Sequence, residues 1–279
     1  MERLQNALHR AREMRGQSQP QPGAAGIVAE AAPVPPVSTE VHELWSSLRV
    51  FQPNPRNLQA SRIVSYFGKQ TATPFDMMRT KMVHHARSKG WKRIAITSPS
   101  PRCGKTTIAC NLAFSLSRQA EMRIMVVELD LRRPSIAAVL GLKEPQYFAK
   151  ALAGLEPAED HMVCANNNLV FGTNLAAAAN PSELLQSQKT QQVLQDLEAR
   201  YQPDLVLFDT APVLASDDTL GFCEHVDAAL IIGAAEMTTI RELDVTESEL
   251  SEVTEVMGVV LNKCRYPTGG YGYEYEYGY

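Results

Sequence analysis

The chain has 279 residues, room for one α/β domain of about 200 residues with flanking segments. Hydrophobic residues make up 44% and charged residues 21%, an ordinary globular balance, and a net charge of −4 supplies no broad basic field for DNA or RNA. No apolar run of about 18 residues is present, so no membrane-spanning helix is expected.

Glu2 and Arg3 leave no apolar signal core at the start, which points to cytoplasmic residence. Residues 1–15 read as a short amphipathic helix, with Leu4, Leu8 and Ala11 on one face. Residues 16–60 hold seven of the seventeen prolines and read as a flexible linker, with Trp45 and Phe51 able to fasten part of it to a core. The globular domain is expected over 61–265. It opens with a helix over 76–89 and then alternates short apolar runs with helical patterns. The runs are Ile94–Ile96, Ile124–Val127, Leu169–Phe171, Leu205–Phe208, Ala229–Ile232 and Val259–Leu261. The helical patterns fall at 105–119, 134–140, 181–200 and 240–254. Such alternation predicts a three-layer α/β fold, a mostly parallel sheet with helices on both faces. Ligands then bind at the C-terminal ends of the strands, where every polar motif of this chain falls.

Between the first apolar run and the following helix stands Ser98-Pro99-Ser100-Pro101-Arg102-Cys103-Gly104-Lys105-Thr106-Thr107. A helix start offers free N–H groups to a phosphate, Gly104 allows close approach, Lys105 reaches the β/γ oxygens, and the Thr106 hydroxyl suits Mg²⁺. This is a Walker A loop with Pro99 where its first glycine would stand. The second run ends in Glu128-Leu129-Asp130-Leu131-Arg132-Arg133-Pro134. Alternation in an extended segment points both carboxylates one way, toward Mg²⁺ or toward a nucleophile's proton; the alternative is a polar loop with an Arg–Asp pair. Asp209 follows four apolar residues in Walker B form and is read as a Mg²⁺ ligand, with a capping or loop carboxylate as the alternative. Asn262, after the last run, has the donor and acceptor that suit the edge of adenine.

Five cysteines at wide spacing, without a C-x-x-C pair, read as reduced thiols. Cys103 stands apart, because a thiol at a helix N-terminus beside Lys105 should be more acidic than usual, which raises redox control of ATP binding. Six of the nine tyrosines lie between Tyr266 and Tyr279. Tyr271, Tyr273, Tyr275, Tyr277 and Tyr279 alternate with Gly and Glu, and read as phosphate acceptors on a mobile tail. The same alternation fits an edge β-strand with every tyrosine on one face.

Together these motifs resemble the bacterial tyrosine kinases (BY-kinases) of capsule and exopolysaccharide export, P-loop proteins related to MinD and ParA. The resemblance covers about residues 74–279. It includes Walker A (Ser98–Thr107), Walker A′ (Glu128–Pro134), Walker B (Leu205–Pro212), the segment Asn180–Leu185 and the tyrosine tail. It implies an ATP- and Mg²⁺-dependent protein-tyrosine autokinase that phosphorylates its own tail and regulates polysaccharide polymerisation or export. Nucleotide contacts then fall on Arg102, Cys103, Gly104, Lys105, Thr106, Thr107 and Asn262, metal contacts on Thr106, Glu128, Asp130 and Asp209, and catalysis on Lys105, Glu128, Asp130 and Asp209. It also implies a separate membrane-embedded activator of the chain-length-regulator type, a ring of subunits, a tyrosine phosphatase, and a place at the inner face of the membrane.

Several positions depart from the family. Pro99 replaces a small residue, Arg102 stands where the family has Gly, and Glu128 replaces the first Asp of Walker A′. In the ring-contact motif Asp76 and Arg79 remain but Met82 replaces an arginine. These departures keep open a non-catalytic ATP-binding scaffold. A positioning ATPase of the MinD/ParA type is the other alternative, against which Ser100 stands where those proteins carry a lysine.

Overall fold

A computed structural model describes residues 39–144 and 146–265; the expected N-terminal helix and the tyrosine tail lie outside the described residues. The expected apolar runs become strands: β1 (Arg93–Thr97), β2 (Ile124–Glu128), β4 (Leu169–Gly172), β5 (Leu205–Asp209), β6 (Ala228–Ala234) and β7 (Glu255–Asn262). A seventh, β3 (Met162–Ala165), was not foreseen. It is four residues long and joins β4 through Asn166 and Asn167, both with positive φ (57° and 60°), the turn chemistry that closes a tight hairpin. The sheet order is β3-β4-β2-β5-β1-β6-β7, parallel except for the β3–β4 pair.

Successive strand residues alternate between two apolar layers. Ile94, Ile96 and Leu207 face a layer shared with α3 (Thr73–Lys89) and α4 (Lys105–Ser117). Ala95, Val206 and Phe208 face the other layer, shared with α8 (Gln188–Tyr201) and α10 (Ile240–Ser251). Helix α4 is buried nearly all round, as its unbroken Ile-Ala-Cys-Asn-Leu-Ala-Phe run allows. The single helix expected over 181–200 divides into α7 (Pro181–Leu185) and α8, because the Ser187 side chain accepts the Thr190 N–H and starts a new helix. The remaining helices are α5 (Ile136–Leu140), α6 (Phe148–Leu152) and α9 (Asp218–Cys223).

The linker expected over 16–60 is corrected for residues 39–60. They form α1 (Thr39–Ser47) and α2 (Pro55–Ala60), the latter capped by Asn54. Trp45 is 1% exposed, donates its indole N–H to the Tyr201 carbonyl at 2.7 Å, and meets the Tyr201 ring edge-on. Val50 bridges Cys164, so this segment also covers the outer edge of β3. Proline content misled here because Pro53 and Pro55 flank a helix start, where proline is tolerated. The described residues fall within one compact unit. Trp45→Ala should lower unfolding free energy by about 3–5 kcal/mol in a denaturant titration, the loss expected for a core aromatic and not for a linker.

Candidate active site

The strand order puts β5 between β1 and β2, so three chain ends meet at one rim: Ile96 is paired with Asp209, and Asp209 with Glu128. From there the loop 98–104 runs to α4. Its start is pinned to the segment after β5, with Val213 and Leu214 N–H on the Ser98 and Pro99 carbonyls at 2.9 and 3.1 Å. Its end contains two residues with positive φ, Arg102 (67°) and Gly104 (97°). A side chain at Gly104 would also collide with the Asn262 amide, 2.3 Å from a Cβ built there. Arg102 therefore holds, with a side chain, a conformation that favours glycine, at roughly 1–2 kcal/mol.

The first N–H groups of α4 have no acceptor within the helix, and Gly104–Thr107 line a cavity of about 460 Å³. Lys105 and Asp130, both nearly buried, are paired at 2.9 Å. Thr106 donates its hydroxyl to one Asp209 oxygen at 2.6 Å and accepts from the Ser135 hydroxyl at 3.0 Å. The other Asp209 oxygen is buried with no hydrogen-bond partner among the described residues. Burial pushes the Asp209 carboxyl up to about 6, against the pull of the Lys105 charge and the Thr106 hydroxyl. An unpartnered buried carboxylate oxygen beside a threonine hydroxyl fits a cation that completes its shell with phosphate and water oxygens.

Glu128 is corrected as a metal ligand and base. Its carboxylate accepts backbone N–H groups from Ser135 (2.5 Å), Ile136 (2.6 Å) and Asn174 (2.8 Å), is 0% exposed, and does not line the cavity. Burial raises it to about 7 despite those three donors. The chain leaves the sheet after Glu128, so strand alternation does not carry through to Asp130. Asn262 is likewise corrected: its amide donates to the Cys103 carbonyl at 2.9 Å, behind the loop, and it does not line the cavity. The Cys103 thiol packs against Thr238 and Ser100, off the cavity wall; burial raises its pKa, and the hydroxyls outweigh that and hold it below the usual thiol value. Arg102, Gly104, Lys105, Thr106, Thr107 and Asp130 line the cavity, whereas Asp209, 1% exposed, does not and meets its wall through the Thr106 hydroxyl.

Two contributors escaped the sequence reading. Arg133 lines the cavity, is exposed, and makes no ion pair among the described residues. Ser135 ties Thr106 to the backbone that Glu128 holds. The signal was present in the Arg-Arg pair, whose members diverge. Arg132 is bound by both oxygens of Asp218 and by Ser182, which joins Walker A′ to the Asn180–Leu185 segment. Asp76 and Arg79 are engaged within the subunit, by Arg118 and by Ser115 on α4.

Comparison with known proteins supplies the family and the fold. The sequence profile of the CobQ/CobB/MinD/ParA nucleotide binding domain matches residues 94–271. The tyrosine-protein kinase wzc of Salmonella typhimurium is 32% identical over 193 residues, 66% of this chain and 26% of its own length. The tyrosine-protein kinase CpsD of Streptococcus pneumoniae is 27% identical over 65% of this chain and 80% of its own. The chain thus spans about a quarter of the long curated relatives it matches. Among solved structures, the VpsO kinase domain superposes with a TM-score of 0.59 at 26% identity, over 75% of this chain and 96% of its own. The septum site-determining protein MinD of Pyrococcus horikoshii, complexed with Mg-ADP, superposes with a TM-score of 0.50 at 20% identity, over 61% of this chain and 69% of its own, and shares the fold.

Two substitutions separate the carboxylates. Glu128→Ala strands three buried N–H groups and should lower stability without nucleotide by about 2 kcal/mol or more in chemical denaturation. Asp209→Asn should act oppositely. A buried carboxyl raised from 3.8 to about 6 destabilises the fold where it is ionised, so the neutral amide should gain about 3 kcal/mol at pH 7.5. The gain should shrink as pH falls through 6 toward 3.8, while Mg²⁺-dependent nucleotide binding is lost.

Proposed function

The chain belongs to the CobQ/CobB/MinD/ParA nucleotide binding domain family, and on that premise we propose that it is an ATP-dependent protein-tyrosine autokinase serving capsule or exopolysaccharide export. The observation that carries the reading is where the chain leaves the described body. Lys263 donates to the Arg102 carbonyl at 2.6 Å and Asn262 to the Cys103 carbonyl at 2.9 Å, so the end of β7, a few residues before the tyrosine-rich sequence, lies beside the phosphate loop. The curated relatives named tyrosine-protein kinases support the same chemistry.

Phosphates would meet the N–H groups of Gly104–Thr107 and the Lys105 ammonium. Thr106 and Asp209 would hold Mg²⁺, which neutralises charge on the β- and γ-oxygens. As Lys105 turns to phosphate, Asp130 is released from its ion pair and can accept the proton of a tyrosine hydroxyl. The phenolic oxygen forms the new bond to the γ-phosphorus, the bond to the β-bridging oxygen breaks, and ADP leaves. A tyrosine with an ordinary pKa of about 10 needs such a base at neutral pH. Arg133 would face the transferring charge. The acceptors are Tyr271, Tyr273, Tyr275, Tyr277 and Tyr279, modified between subunits of a self-associating assembly and reset by a phosphatase. A separate membrane protein of the chain-length-regulator type would hold the kinase at the inner face of the membrane; no helix among the described residues is long and apolar enough to cross it.

The purified chain incubated with Mg-ATP and the activator's cytoplasmic segment should stain for phosphotyrosine. Lys105→Met and removal of 266–279 should each abolish the signal, and Asp130→Asn should reduce it by about 10²-fold or more, the worth of a general base. A chain that binds Mg-ATP yet never acquires phosphotyrosine would be a scaffold.

A further inference from the structure

The two edges of the sheet are treated differently. The outer edge of β3 is covered by the Val50 bridge, whereas β7 ends the sheet with no strand paired to its outer side among the described residues. β7 is eight residues long, and its centre, Val256–Leu261, carries neither charge nor proline. Val259 is 50% and Leu261 57% exposed. A long apolar edge of this kind templates further strand pairing unless something covers it.

Beside it, α3 and β7 enclose a groove of about 390 Å³. Its floor is Met77, Met78, Met82, Met257 and Val260, with Lys81 and His85 among its lining residues. Met77 is 59% exposed. Methionine-rich surfaces adapt to aromatic rings and gain sulfur–ring contacts. Gly258 lies in the same wall with a φ of +151°, and a Cβ built there would touch nothing within 4 Å. An open glycine on an edge strand is a place for a cross-strand aromatic to lie.

We propose that this edge and groove are a docking site for the chain's own tail, with residues 271–279 added antiparallel to β7 as an eighth strand. The occupant follows from length and pattern. After Asn262 the chain continues for 17 residues, with Gly269 and Gly270 available for the reversal. The nine residues from Tyr271 span about 30 Å extended, which matches β7 at about 26 Å. Their alternation puts five tyrosines on one face, and the docked register lays that face over the methionines. The phenol rings supply apolar bodies and leave hydroxyls for the Lys81 and His85 side, while Glu274 and Glu276 face solvent on the other side. The docked strand is the unmodified form, because each phosphate would bring about −1.5 to −2 charges into an apolar groove. This docking does not depend on phosphoryl transfer by the chain.

Hydrogen–deuterium exchange on the phosphatase-treated full chain, without nucleotide, tests it. Peptides covering 255–262 and 271–279 should exchange at least about tenfold more slowly than their unprotected rates. Deleting 266–279 should speed exchange in β7. Met77→Glu, at an exposed position, should release both segments while leaving the rest of the exchange map unchanged. Protection should not change on dilution. A tail that exchanges at the free-peptide rate overturns the proposal. Because β7 also pairs with β6, the reading is the change on deletion: β7 exchange left unaltered by removal of 266–279, or protection that falls on dilution as a second copy's tail would give, overturns it equally.

Discussion

Asp209 holds the site together. Its carbonyl accepts the N–H groups of Leu129 and Asp130 at 2.8 and 2.9 Å, so the turn after β2 is built on the end of β5. Its carboxylate takes the Thr106 hydroxyl, fixing the first turn of α4 to the same point. One residue therefore sets the relative positions of Walker A, A′ and B, and it does so while buried and raised to about 6. An ionised group in that setting works against the fold at neutral pH. In the proposed mechanism a cation bound there would relieve that burden, so that nucleotide with its metal would stabilise the fold.

The neighbouring acid shows how a family position can keep its charge and change its work. Glu128 caps the segment 135–136 and the Asn174 backbone, and through Ser135 it steadies Thr106. The longer side chain reaches both helical N–H groups at α5 and leaves Asp130 alone to face Lys105. In the proposed mechanism, proton acceptance and metal holding would then fall on different residues. Asp130 is paired with a cation that phosphate can draw away, and Asp209 keeps an unpartnered oxygen.

The sheet and the phosphate loop were legible because buried parallel strands read as apolar runs and because a helix N-terminus needs Gly-Lys-Thr to bind phosphate. β3 was not, since Met-Val-Cys-Ala is too short to show a period. Residues 39–60 were not, because what orders them is the distant Tyr201 and Cys164, 156 positions from Trp45 in the first case. The roles of Glu128 and Asn262 were misread for one reason: residue type names the hydrogen bonds a side chain can make, and only packing says which neighbour takes them. Arg133 and Arg132 are alike in sequence, and Asp218, 86 positions from Arg132, tells them apart.

The phosphate loop and the end of β7 are tied together. Arg102 and Lys263 both sit in the left-handed region, with φ of 67° and 61°, and they meet through the Lys263 ammonium on the Arg102 carbonyl. Asn262 closes the next link on Cys103, against the face of Gly104 that no side chain could occupy. Two residues held in a conformation that L side chains disfavour persist only where their surroundings over-determine them. The Lys263 ammonium and the Asn262 amide, on the carbonyls of Arg102 and Cys103, tie the two segments at adjacent points. The arginine at the loop, where the resemblance would place glycine, thereby gains a contact: its carbonyl accepts the Lys263 ammonium just past β7.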